Sequence, residues 1–108
     1  MTAARTAWVT ALAAAAAMAC ICVARAAGGD VALGEYLSAT CTGCHQASGQ
    51  TNGIPAIIGW PEDQFIAVVN AYRKGERDNA AMRSIAQSLS SEDMAALAAY
   101  FGRLKPNR

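Results

Sequence analysis

"CTGCH", residues 41–45, sets two thiols three residues apart and an imidazole directly behind the second. His45 is the only histidine in the 108-residue chain. A structural zinc site asks for four cysteine or histidine ligands. Beyond the first 26 residues the sequence offers only Cys41, Cys44 and His45, so zinc fits only if two chains share it. A thioredoxin-like disulfide asks for a motif that follows a strand and opens a helix, whereas here the motif closes a helical pattern. Haem c uses all three residues: the thiols add across the two vinyl groups as thioethers, and the imidazole reaches the iron. Thioethers also cannot oxidise to a disulfide, the usual fate of neighbouring thiols in an oxidising compartment. The motif therefore predicts one covalently attached haem c.

Upstream, Arg5 precedes an uncharged apolar run from Trp8 to Met18, and Ala24-Arg25-Ala26 offers the small-x-small pattern of a cleavage site. Residues 1–26 read as a secretory signal and residues 27–108 as one exported domain. The uncharged window from Thr6 to Ala24 is alanine-rich and only just reaches the length a membrane span needs, about 20 residues. The mature chain is expected to carry no membrane span. A lipid anchor at Cys20 is the alternative, because Ala17-Met18-Ala19-Cys20 loosely resembles a lipobox. Seven Lys and Arg against eight Asp and Glu remain after residue 26, a balance that gives no reason to expect nucleic acid. A domain this small buries only about 60% of its unfolded surface, so it gains from a cofactor in its core.

Downstream, the pattern is helical throughout. Asp30 is a good N-cap, and Leu33, Tyr36, Leu37, Cys41 and Cys44 recur at helical spacing, so "CTGCH" closes the first helix. From Gln46 to Trp60 the breakers Gly49, Gly53, Pro55 and Gly59 leave no hydrophobic period, and a loop that long usually wraps something. Pro61 opens a second helix with Phe65, Ile66, Val69 and Tyr72 as its stripe, and Gly75 stops it. Ile85 and Leu89 mark a short helix after Met82. Ser90 caps the last helix, with Asp93 three residues on and Met94, Leu97, Ala98, Phe101 and Leu104 as its apolar face. The expected fold is all-α, about four helices and one long loop.

With "GEYLSATCTGCH", "GIPAI", "FIAVVNAYRKGERDNAAMRSIA" and "LSSEDMAALAAYF", the sequence resembles the class I c-type cytochromes. It is most similar to the single-haem units of the flavocytochrome c sulfide dehydrogenase cytochrome subunit and of cytochrome c4. The resemblance implies helices wrapped around one haem, with His45 as one axial ligand and a methionine as the other. Met82 takes the ligand's place in the family's M-x-x-I-A pattern; Met94 lies on the last helix's stripe and reads as a core packer. It further implies that the Pro55 carbonyl accepts a hydrogen bond from the His45 imidazole. Gly34 on the first helix and Leu97, Tyr100 and Phe101 on the last match the family's crossing of terminal helices.

A His45/Met82 pair would fill both axial positions and raise the reduction potential. That favours a periplasmic one-electron carrier, whose partner the resemblance identifies as a redox protein, a sulfur-oxidising flavoprotein dehydrogenase in particular. The alternative is a haem enzyme or gas-binding protein with an open sixth position, but the only histidine is already used. Trp60, Phe65, Ile66, Val69 and Tyr72 are expected to wall the haem pocket or fill the core. Arg73, Lys74 and Arg77, interleaved with Glu76 and Asp78, read as a solvated face, with docking or a haem-propionate contact as the alternative.

Overall fold

The computed structural model describes residues 28–106; the expected signal segment and Cys20 lie outside the described residues. Five helical segments follow one another: α1 (Val31–Leu37), α2 (Ala39–Thr42), α3 (Glu62–Arg73), α4 (Ala80–Gln87) and α5 (Ser91–Arg103). No strand occurs among the described residues, in keeping with an all-α fold. No helix among them is long and apolar enough to cross a membrane.

The Asp30 carboxylate starts α1 by accepting from the Ala32 and Leu33 amides at 2.9 and 3.2 Å. The single helix expected through Cys44 is broken at Ser38, whose amide and hydroxyl both turn back to the Glu35 carbonyl. A hydroxyl that competes for the backbone in this way tightens the turn and restarts the helix as α2. The expected stripe is corrected within α1 itself. Leu33 and Leu37 are half-buried, while Tyr36 is 81% exposed.

The core lies where α5 crosses α1 and α3. Phe101, Met94 and Leu97 are its most deeply buried large side chains, and Met94 is the core packer expected of it. Phe65 of α3 stacks on Phe101 with ring centroids 5.9 Å apart, and Tyr100 meets Phe101 edge-on at 5.2 Å. A Cβ at Gly34 would overlap the Ala96 carbonyl, so α1 and α5 approach backbone to backbone there. The partner of Gly34 is thus the Ala96 carbonyl and Tyr100, where sequence pointed also to Leu97 and Phe101. In an open helix, Gly→Ala gains about 1 kcal/mol. Gly34→Ala is expected instead to lose about 1–3 kcal/mol through overpacking, read as a lower urea midpoint.

Residues 43–61 form no helix, as the breakers predicted. The loop is pinned rather than loose. Ile57 and Ile58 are buried in the core, and the Gly59 amide donates to the Phe101 carbonyl at 2.9 Å.

α5 opens with a complete capping box: the Asp93 amide donates to the Ser90 hydroxyl at 3.0 Å, and the Ser90 amide to the Asp93 carboxylate at 2.9 Å. α3 ends in a Schellman turn. Gly75 takes φ +76°, its amide donates to the Tyr72 carbonyl, and the Glu76 amide donates to the Ala71 carbonyl. This reverses the chain and brings residues 76–79 back toward α3.

Candidate haem-binding site

One apolar cleft gathers the candidate haem-binding residues that sequence singled out. Cys41, Cys44 and His45 line it from the end of α2, Ile54, Pro55 and Ile57 from the long loop, and Met82 and Ile85 from α4. Trp60, Phe65, Val69 and Tyr72 line it as well, while Ile66 packs against the core instead. Val68, Leu89 and Leu97 also line the cleft, although sequence gave Val68 no role and placed the other two on helix stripes. The empty space is about 1210 Å³, counting solvent at the open mouth.

The imidazole is held in one tautomer. His45 Nδ1 lies 2.6 Å from the Pro55 carbonyl oxygen. A carbonyl can only accept, so Nδ1 carries a proton, and the neutral ring in this tautomer has its lone pair on Nε2. The His45 amide in turn donates to the Cys41 carbonyl at 2.8 Å, which continues the helical turn and fixes the spacing of both thiols to the ring.

Met82 does not precede its helix, as the sequence reading had it, but occupies the third position of α4. The reason is Asn79, whose side-chain oxygen accepts from the Met82 amide at 2.9 Å and so starts the helix at Ala80. Leu89 consequently falls beyond the end of α4. α4 packs on α3, so Met82 reaches the cleft from a helix anchored independently of α2. Asn79→Ala should cost about 1 kcal/mol and lower the urea midpoint of the haem-loaded protein. An unchanged midpoint would mean that the cap contributes nothing to α4.

Cys41 and Cys44 form no disulfide with each other, and burial pushes the Cys41 thiol up to about 11. At neutral pH it is an uncharged thiol in an apolar wall, a suitable environment for a sulfur that ends as an uncharged thioether. Among the described residues no three His, Cys, Asp or Glu side chains converge to hold a metal ion by themselves. The donor set fits haem: two thiols, one tautomer-fixed imidazole and one thioether around an apolar slot.

Comparison with known proteins also points to haem. Residues 31–101 match the family described as Cytochrome C oxidase, cbb3-type, subunit III. A thiosulfate dehydrogenase electron acceptor from Thiomonas intermedia is 37% identical over 73 residues, covering 65% of this chain and 34% of that protein. Cytochrome c-554(548) from Halomonas halodenitrificans is 41% identical over 78 residues, covering 68% of this chain and 94% of that protein. The cytochrome subunit of sulfide dehydrogenase from Chlorobaculum tepidum is 32% identical over 72 residues, covering 66% of each. The chain thus spans nearly all of the second relative but only about a third of the first.

Proposed function

The chain belongs to the cytochrome c family, whose members carry covalent haem c in electron transfer, and on that premise we propose that it is a periplasmic one-electron carrier with His45 and Met82 as axial ligands. The observation that carries this reading is the 2.6 Å contact from His45 Nδ1 to the Pro55 carbonyl in a cleft shared with Cys41, Cys44 and Met82. When bound, haem supplies a reversible one-electron Fe(III)/Fe(II) couple.

The residues of the chain do the rest. Cys41 and Cys44 tether the macrocycle as thioethers. Pro55 holds the His45 ring so that Nε2 faces the cleft and, by accepting from Nδ1–H, makes it a stronger donor. Asn79 holds the Met82 backbone, and the thioether of Met82 favours the reduced state relative to a second imidazole. Phe65, Val69, Ile85 and Leu97 would exclude water from the haem, which disfavours the more highly charged ferric state and so raises the reduction potential. With His45 and Met82 both holding the iron, no position would be left for a substrate, and this favours a carrier over a haem enzyme or gas-binding protein.

The relatives named as a thiosulfate dehydrogenase electron acceptor and a sulfide dehydrogenase cytochrome subunit support a sulfur-oxidising dehydrogenase as redox partner, a flavoprotein in the second case by resemblance. Small, weak interfaces are usual for such encounters. The test is a denaturing mass spectrum and a spectroelectrochemical titration of protein from an export-competent, haem-loading host. One haem retained through denaturation and a one-electron Nernst curve are expected. A chain without bound haem would refute the proposal.

A further inference from the structure

The cleft is largely apolar. No carboxylate lines it, its other titratable groups are Cys41, Cys44, His45 and Tyr72, and Arg77 is the one basic side chain of fixed charge on its wall. Haem carries two propionate carboxylates, which in such a cleft have no other fixed counter-charge among the lining residues.

The position of Arg77 follows from the backbone. The Schellman turn at Gly75 folds the chain back over the last turn of α3, and the Arg77 guanidinium comes to rest 5.0 Å from the centroid of the Tyr72 ring. Stacking on an aromatic face leaves the edge of the planar fork, with its N–H donors, free to bind a carboxylate. The neighbouring cations are otherwise placed. Arg73 donates to the Leu89 carbonyl at 3.3 Å, and Lys74 does not line the cleft. Glu76 and Asp78 flank Arg77 in sequence, yet the ion pair found among the described residues joins Asp78 to Arg83, at 3.8 Å. Arg77 therefore has no carboxylate within 4 Å among those residues.

Resting on the haem reading above, we infer that Arg77 pairs with a haem propionate, its guanidinium preset by the Tyr72 ring. A charge-assisted, forked contact of this kind does two things. It compensates one negative charge near the iron and so holds the reduction potential up, and it fixes the carboxylate in a geometry that lysine cannot copy.

The test uses the haem-loaded protein, with bound haem first verified by denaturing mass spectrometry. R77Q is expected to lower the reduction potential and to displace the propionate-bending band in the resonance Raman spectrum. R77K is expected to keep the potential near that of the unsubstituted protein, because the charge stays, but to displace the same band, because the fork is gone. Should R77Q fail to load haem, the band in R77K decides alone. A band unmoved by either substitution overturns the inference, even where the melting temperature falls, and leaves the carrier reading standing. Absence of haem from the unsubstituted protein overturns the carrier reading itself.

Discussion

Replacing Cys41 and Cys44 together by serine is expected to yield a chain with no covalently bound haem and no cooperative thermal transition. The reason lies in the size of the core. Among the described residues only four large side chains are almost wholly buried, Phe65, Phe101, Met94 and Leu97, and much of the remaining core is alanine. A domain of about 80 residues has a margin on the order of 4–12 kcal/mol when its core is complete. Here the haem would be most of that core: without it Trp60, Val68, Ile85 and Leu89 face an open cleft, and the hydrophobic term that offsets chain entropy is largely missing. Far-ultraviolet circular dichroism against temperature makes the check. A sigmoidal melt of the haem-free double variant would show that the helices sustain themselves and that the haem is a passenger.

Met82→Ala is the second large effect, and it separates attachment from ligation. The tether through Cys41 and Cys44 is untouched, so the variant should keep its haem. Loss of the thioether should lower the reduction potential by on the order of 0.1 V, within the roughly 0.8 V range that axial ligands command. The reduced variant should also take up carbon monoxide readily. Because Met82 sits on α4, capped by Asn79 and packed on α3, the substitution removes the donor without removing the helix. A potential and a ligand affinity equal to those of the unsubstituted protein would assign the sixth position elsewhere.

What could be read in the sequence, and what could not, divides along physical lines. Cys-x-x-Cys-His was legible because covalent chemistry fixes both the spacing and the residue types. The capping box of α5 was legible because Ser90 and Asp93 satisfy each other locally. Tyr36 was misplaced because α1 turns its Gly34 side toward α5, and Tyr36, two residues on, falls on the opposite side of the helix. Met82 was placed one element too early because Asn79 lies in a polar stretch that reads as loop, although its type is a strong N-cap signal. Val68 and Leu97 line the cleft with the same helical period that fills a core, so periodicity alone could not separate the two. Arg77 looked like one more member of a solvated charge run until the turn at Gly75 set it over Tyr72.

The central claim is that protein side chains fill both axial positions, and a carbon monoxide difference spectrum of the reduced, haem-loaded protein tests it most directly. No carbon monoxide adduct is expected under conditions in which Met82→Ala forms one. Ready binding by the unsubstituted protein would contradict it, and would give the lead to a haem enzyme or gas-binding protein with an open sixth position.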